Sequence, residues 1–221
     1  MKRIVIFMLS LLGLFAFSSC AKDENTRTYH FYKEMDKTSF FFACSITDGE
    51  ETYRYAQAVT AKTVTTIEDH EDNADDGYGI CELNKTSDGR HLLHSLNFTT
   101  SKYDTTVTTK AMKFTYGDYE AVQFRAPDES IDEAEFDGKT YYCEVFETVD
   151  ENGDEVGLNK YYFDGMKLVG IEWIEKDEVV KTMVITEYSN QIPESVYTAV
   201  PDGFKAGTYT DEQVIPPRPR D

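Results

Sequence analysis

Residues 160–188, KYYFDGMKLVGIEWIEKDEVVKTMVITEY, predict three antiparallel strands that are joined by two tight turns. Asp164-Gly165 marks the first turn, because glycine adopts a positive φ without a Cβ clash, and Lys176-Asp177-Glu178 marks the second. Successive side chains of a strand point to opposite faces, and both faces here carry apolar groups. One face of the middle strand is expected to present Val169, Ile171 and Trp173, with the tryptophan buried. A sheet of this kind must be covered on one side or curl around an apolar centre.

The rest of the chain repeats this pattern of short alternating strands between turns, and a conservative count gives about ten strands. The gaps between strands are too short for parallel crossovers, so we predict a mainly β, α+β fold built on a curved antiparallel meander in sequence order. An apolar stripe along residues 28–37 predicts a short N-terminal helix packed on this sheet. Residues 192–205 are expected to close the domain by packing four side chains: Ile192, Val196, Tyr197 and Phe204.

The N-terminus resembles a bacterial lipoprotein signal. A basic Met1-Lys2-Arg3 precedes an apolar run over residues 4–17, which is shorter than the about 20 residues of a membrane-spanning helix. Small residues then precede Cys20, as in a lipobox, where the cysteine thiol is lipidated and becomes the new N-terminus. The alternative is an ordinary secretory signal that is cleaved near Ser19. We predict a signal peptide over 1–19, a polar tether over 20–28 and an extracytoplasmic protein that is lipid-anchored to a bacterial membrane.

Composition limits the partners of the mature chain. Loss of residues 1–19 removes Lys2 and Arg3 and no acid, which leaves 20 basic against 41 acidic side chains and a net charge of −21. Such a chain repels nucleic acid and anionic headgroups. The 15 tyrosines and 14 phenylalanines exclude disorder and favour strands. The length fits one domain, which we place at residues 29–205, followed by a polar tail at 206–221 that is expected to be disordered.

No sequence motif indicates catalysis or a cofactor, so we predict that the protein is not an enzyme. Cys44, Cys81 and Cys143 fall within apolar strands and are interpreted as small buried side chains; one disulfide among them is the alternative. His91 and His94 stand three apart in a strand and therefore point to opposite faces, which argues against zinc binding. The acidic segment 68–76 lacks the glycine and the final glutamate of a calcium loop, so no metal site is predicted.

The order of these features resembles the LolA/LolB superfamily of lipoproteins. The features that carry the resemblance are the lipobox, the short helix, the meander with YYFDGMKLVGIEW at 161–173, the strand ending EYS at 187–189, IPESVY at 192–197 and PDGF at 201–204. The resemblance covers residues 29–205. It implies a half-open, strongly curved antiparallel barrel whose concave side is plugged by helices and binds lipid or acyl chains.

The first function hypothesis is a membrane-anchored lipoprotein that binds a lipid or another apolar ligand in the concave sheet. The side chains expected to line that cavity are Phe40, Phe42, Val169, Ile171, Trp173 and Val184. The alternative is an extracytoplasmic interaction module that binds protein or glycan through its acidic, tyrosine-rich surface. An apolar cavity would favour the first hypothesis, whereas a face filled by aromatic side chains would favour the second.

Overall fold

The structure, a computed structural model, describes residues 26–35, 39–71, 76–109, 126–149 and 155–211. Cys20, the signal peptide and most of the tether lie outside these residues. The described chain is mostly β, with one helix and twelve strands. In chain order these are α1 Arg27–Met35, β1 Phe40–Asp48, β2 Glu51–Val59, β3 Thr63–His70, β4 Gly77–Glu82, β5 His91–Asn97, β6 Lys102–Thr108, β7 Glu129–Phe136, β8 Lys139–Val149, β9 Glu155–Asp164, β10 Lys167–Glu175, β11 Glu178–Ser189 and β12 Lys205–Asp211.

The chain divides into two compact units. The first contains α1 and β7–β10, and the second contains β1–β6, β12 and β11 from Val180 onward. Hydrogen-bonded neighbours follow the order β7-β8-β9-β10 in the first unit and β11-β1-β2-β3-β4-β5-β6-β12 in the second. The pairings within the units are antiparallel except for the parallel β6–β12 pair. The antiparallel prediction is confirmed, but sequence order fails where β11 lies beside β1 and β12 beside β6.

Both turns of the 160–188 stretch form as predicted. Gly165 has a φ of +60° at the first position of the two-residue β9–β10 turn, which is the place for glycine in a type II′ hairpin. Lys176 and Asp177 have φ values of +52° and +66° in the β10–β11 turn, the pattern of a type I′ turn. These local conformations match the right-handed twist of strands and fix the hairpins.

A β-bulge changes the faces that were expected for β10. Leu168 pairs with Phe163 and Gly170 with Tyr162, so Val169 is an extra residue between them. Alternation resumes after the bulge. The shared face therefore presents Leu168, Ile171 and Trp173, and the expectation that Val169 joins the last two is wrong.

Large apolar side chains fill this face of the first unit, and helix α1 packs over it. The fully buried residues here are Phe146, Tyr161, Phe163, Leu168 and Ile171. Glu144, which pairs with Tyr161 across β8 and β9, accepts hydrogen bonds from the backbone N–H of Arg27 and Thr28 at 2.8 and 2.9 Å. The Arg27 guanidinium lies 3.7 Å from the centre of the Tyr142 ring. The predicted N-terminal helix and its packing on the sheet are thus confirmed.

The second unit is closed by the segment that follows β11. A cluster of Phe41, Ala43, Ala56 and Ala58 on one face is covered by Ile67, Ile192 and Val196, as expected for the closing segment. On the same side of the sheet, the Thr65 hydroxyl of β3 donates a hydrogen bond to the Tyr197 carbonyl oxygen at 2.8 Å. The opposite face carries a second row of buried side chains: Phe40, Phe42, Cys44, Ile46 and Met183.

Residues 206–211 form most of strand β12 and do not belong to a disordered tail. Three contacts hold this strand against its neighbours. The Lys205 N–H donates to the Ser101 carbonyl oxygen at 2.9 Å, the Thr208 N–H donates to Asp104 at 2.5 Å, and the Arg90 guanidinium binds Asp211. The polar, proline-rich composition of residues 206–221 suggested disorder. Composition cannot reveal these contacts, because they join residues that are far apart in sequence. Residues 212–221 lie outside the described chain.

All three cysteines beyond Cys20 are buried and free, which confirms the interpretation as small apolar side chains. Burial raises the pKa of the Cys44 thiol to about 12, against the opposing effects of Lys181 and a hydrogen bond to the Tyr55 carbonyl. Burial likewise raises the pKa of Cys143 to about 12. No helix in the described ranges is long and apolar enough to cross a membrane.

Candidate functional site

The side chains predicted to line a lipid cavity are divided between the two units. Val169, Ile171 and Trp173 belong to the first unit, and Phe40, Phe42 and Val184 belong to the second. In the second unit Phe40 and Phe42 stack with ring centres 6.4 Å apart. Val184 pairs with Ser45, which alternates with the phenylalanines, so Val184 lies on the opposite face.

Their burial differs as well. Phe42 and Ile171 are 0% exposed, so each is enclosed by neighbouring side chains and does not line an open space. Trp173, Val169 and Val184 are half-buried, so the expectation that Trp173 is buried is wrong. The bulge at Val169 explains part of this result, because it shifts which residues of β10 face the packed side. The faces that carry the predicted ligand residues are thus largely filled by aromatic and aliphatic groups of the protein itself.

A small pocket lies at one end of β9 and β10 in the first unit. Its volume is about 190 Å³, and the lining residues are Glu155, Val156, Gly157, Leu158, Ile174, Lys176 and Asp177. Typical small-molecule pockets measure roughly 300–1,000 Å³, so this one is too small for a lipid. Gly157 is essential for the local geometry, because a Cβ at this position would overlap the Ile174 carbonyl oxygen.

One buried polar group near this end of the sheet is unsatisfied. Asn159 is 2% exposed, pairs with Trp173 across β9 and β10, and its Nδ2 has no hydrogen-bond partner among the described residues. A buried amide donor without a partner costs free energy. This donor and the half-buried Trp173 are the features of the first unit that suit a ligand with both apolar and polar parts.

The second unit carries a larger feature, an exposed aromatic cluster that we call the aromatic platform and define as Tyr78, Phe98, Tyr197 and Phe204. Phe98 follows β5 in a tight turn, Tyr78 lies in β4, and the other two belong to the closing segment. The Phe98 ring centre is 5.2 Å from Tyr78, 5.9 Å from Tyr197 and 5.3 Å from Phe204. Phe98 therefore joins all four rings into one cluster.

Hydrogen bonds to the backbone hold the platform in place. The Tyr78 hydroxyl accepts from the Tyr197 N–H at 2.6 Å and donates to the Tyr197 carbonyl oxygen at 3.2 Å. Thr65 donates to the same carbonyl. Burial raises the pKa of Tyr78 to about 12, although the bond to Tyr197 opposes that shift, so the hydroxyl stays protonated at physiological pH. Residue 197 is thus fixed from two strands of the sheet.

The outward part of the platform is open to solvent. Phe98 is 48% and Tyr197 42% exposed, whereas Tyr78 and Phe204 are half-buried beneath them. The two exposed rings adjoin each other and so differ from single apolar side chains scattered over a surface. Tyr197 and Phe204 were expected from the sequence to pack against the sheet, and Phe98 was not among the predicted functional residues. The available signal was a phenylalanine within the polar turn Asn97–Ser101, where no strand requires an apolar side chain.

No known protein family matches the sequence, and no curated protein matches it. An uncharacterized conserved protein from Thermus thermophilus is similar in structure over 82% of this chain and 96% of its own, with 7% identity and a TM-score of 0.49. A DUF1329 family protein from Desulfovibrio piger is similar over 74% of this chain and 89% of its own, with 12% identity and a TM-score of 0.28. Both TM-scores are too low to assign this chain to a fold group, so the LolA/LolB resemblance stays a prediction.

The surroundings of His94 form a second, weaker candidate for a functional site. His94 is buried, with Nδ1 3.0 Å from Thr105 Oγ1 and Nε2 3.3 Å from Glu82. Glu82 also binds Lys85 at 2.5 Å, and these contacts lower the pKa of the Glu82 carboxyl although burial opposes them. The Thr105 hydroxyl is itself buried, so this chain of contacts stabilises the sheet and presents no accessible nucleophile. Within the described ranges no three metal-ligating side chains gather.

Proposed function

We propose that this protein is an extracytoplasmic lipoprotein, anchored to a bacterial membrane through Cys20, whose domain binds a ligand or partner at the aromatic platform. The observation that carries the binding proposal is the pair of exposed rings, Phe98 and Tyr197, with the Tyr197 backbone fixed by hydrogen bonds. Exposed aromatic side chains on a rigid support bind with little loss of conformational entropy. The filled faces of both units favour this interaction module over a cavity binder.

Charge narrows the class of partner. The mature chain carries a net charge of −21, which repels nucleic acid and other polyanions. The platform itself consists of uncharged rings. An uncharged or basic partner therefore fits this surface, and nucleobases that would stack on it are disfavoured by their attached phosphates.

Immobilised mature protein, offered ligands of contrasting chemistry, tests the binding role. The probes are neutral polysaccharides, a basic peptide and phosphatidylcholine vesicles, with binding followed by biolayer interferometry. Phe98→Ala and Tyr197→Ala are expected to abolish most of the binding to whichever probe is recognised. Tyr209→Ala is the matched control, because Tyr209 is 64% exposed and lies outside the platform. Binding that survives removal of both platform rings would refute the proposed site.

The anchor is tested separately. Cys20→Ala is expected to leave the precursor uncleaved and unlipidated, as measured by membrane fractionation and intact mass. A mature N-terminus at any residue other than 20 would refute the lipobox.

A second candidate function is binding of a lipid or other apolar ligand, with the half-open barrel of the LolA/LolB resemblance as its frame. The specific observation that favours it is the unsatisfied Asn159 amide beside the half-buried Trp173. Native mass spectrometry of protein purified from its own membrane would detect a co-purifying lipid. Loss of that lipid on Asn159→Leu substitution would support this function, and a lipid-free spectrum would count against it.

A further inference from the structure

Building on the proposed function, we infer that the ligand of the aromatic platform is an uncharged carbohydrate. A sugar ring would stack the C–H groups of one face on Phe98 and Tyr197. The negative face of an aromatic ring attracts such weakly positive hydrogens. The hydroxyl groups at the sugar's edge would then meet the polar residues around the platform.

The arrangement of the two exposed rings suits this mode of binding. Phe98 and Tyr197 have ring centres 5.9 Å apart and planes tilted by 31°, and both are exposed, so one small ligand can contact both rings. Phe204 supports Phe98 edge-on, with an interplanar angle of 78°, and Tyr78 meets Phe98 at 76°. The supporting contacts hold the exposed rings in place before a ligand arrives, which lowers the entropic cost of binding.

The exposed area indicates a small ligand. A fully buried aromatic side chain covers roughly 150–250 Å², and the two rings are 48% and 42% exposed. Together they offer about 200 Å², whereas a stable protein interface buries about 800 Å² on each partner. The platform therefore matches one or two sugar rings better than the surface of a folded protein.

The residues next to Phe98 are uncharged and polar. Asn97 ends β5, Thr99 and Thr100 lie in the turn with Phe98, and all three are exposed. The Asn97 side-chain oxygen accepts hydrogen bonds from the Thr100 N–H and hydroxyl at 2.9 and 3.0 Å. Amide and hydroxyl groups both donate and accept hydrogen bonds, as sugar hydroxyls do. The net charge of −21 disfavours uronic-acid and sulfated sugars, so the carbohydrate is expected to be neutral.

Affinity gel electrophoresis of the mature protein tests this inference. The gels contain a neutral β-glucan, a neutral α-glucan, a neutral galactomannan or the anionic polygalacturonate. We expect at least one neutral polysaccharide to retard the protein, and polygalacturonate to leave its mobility unchanged. Phe98→Ala and Tyr197→Ala should each weaken binding about tenfold or more. Tyr197→Phe keeps the ring and should bind normally, and Tyr209→Ala should do the same. Thermal melting verifies that each variant is folded.

The outcomes separate this inference from the proposed function. If no neutral polysaccharide retards the protein, or if retardation survives both ring removals, the carbohydrate inference is wrong. If a basic peptide binds in a manner that depends on Phe98 while sugars do not, the inference fails and the platform remains the binding site. If no probe of any class binds through the platform, both proposals fail.

Discussion

Replacement of Glu144 should loosen the helix that caps the first unit. Glu144 is 1% exposed, and its two carboxylate oxygens accept from the Arg27 N–H at 2.8 Å, the Thr28 N–H at 2.9 Å and the Thr28 hydroxyl at 2.5 Å. These N–H groups belong to the first turn of α1, which has no intrahelical acceptors for them. The carboxylate also lies at the positive end of the helix dipole.

The magnitude follows from which of these interactions each substitution removes. Glu144→Gln keeps the shape and one acceptor oxygen, but its NH₂ group faces a donor and the charge is lost, so we expect a cost of about 2 kcal/mol. Glu144→Ala removes all three hydrogen bonds and leaves buried donors unpaired. Its cost should be about 4 kcal/mol. Both values are a large fraction of the roughly 5–15 kcal/mol by which proteins are stable.

Urea denaturation at 25 °C and hydrogen exchange of the α1 amides measure this effect. Exchange at the Arg27 and Thr28 amides should accelerate more than exchange in the second unit, because only their acceptor is lost. Glu175→Gln is the matched control: Glu175 is an exposed residue of β10, and its substitution should stay within about 0.5 kcal/mol of the original. If Glu144→Gln behaves like Glu175→Gln, the carboxylate does not hold the helix.

Three further predictions concern the cysteines, Gly157 and Tyr78. Burial raises the pKa of Cys44 and Cys143 from 9.0 to about 12, so their contribution to the free energy of unfolding is complete below about pH 9 and declines as the pH rises towards 12. The double variant Cys44→Ala/Cys143→Ala should therefore lose less stability between pH 9 and 12 in urea denaturation, and an unchanged pH dependence of the urea midpoint would contradict this prediction. Gly157→Ala should cost about 1–3 kcal/mol because its Cβ meets the backbone of Ile174; Gly79→Ala, which meets only the Leu93 side chain at 3.3 Å, should cost less, and equal melting temperatures would refute the argument. Tyr78→Phe removes the hydroxyl that makes two hydrogen bonds to the Tyr197 backbone and should lower the free energy of unfolding by about 1–2 kcal/mol. The control is Tyr103→Phe, on a half-buried tyrosine of β6, and a smaller loss for Tyr78→Phe than for this control would show that the two hydrogen bonds stabilise little.

Local features of the fold were predictable from sequence, whereas long-range ones were not. The turns at Gly165 and Lys176-Asp177 follow from the residues themselves, and so do the helix and the alternation of Phe40 and Phe42. The bulge at Val169 was invisible, because a single extra residue leaves the apolar composition of β10 unchanged. The placement of β12 depends on contacts with Asp104 and Arg90, which lie about a hundred residues earlier in the chain.

The candidate site shows the same division. Sequence analysis anticipated a tyrosine-rich surface and the packing of the closing segment, which contains Tyr197 and Phe204. It did not bring Phe98 and Tyr78 to that segment, because Tyr78 and Tyr197 are 119 residues apart. The same limit applies to the predicted lipid-cavity residues: alternation predicts which residues share a face of one strand, but not whether neighbouring side chains fill that face.

Aromatic NMR spectra of ¹³C-labelled protein, titrated with a soluble neutral oligosaccharide, show whether the aromatic platform binds carbohydrate. Assignment of Phe98 and Tyr197 by the Phe98→Leu and Tyr197→Phe variants makes each ring observable. We expect these two resonances to shift in a saturable manner, while those of the buried Phe42 and Phe146 stay in place. Shifts that centre on Trp173 or on the buried rings, with Phe98 unmoved, would contradict it.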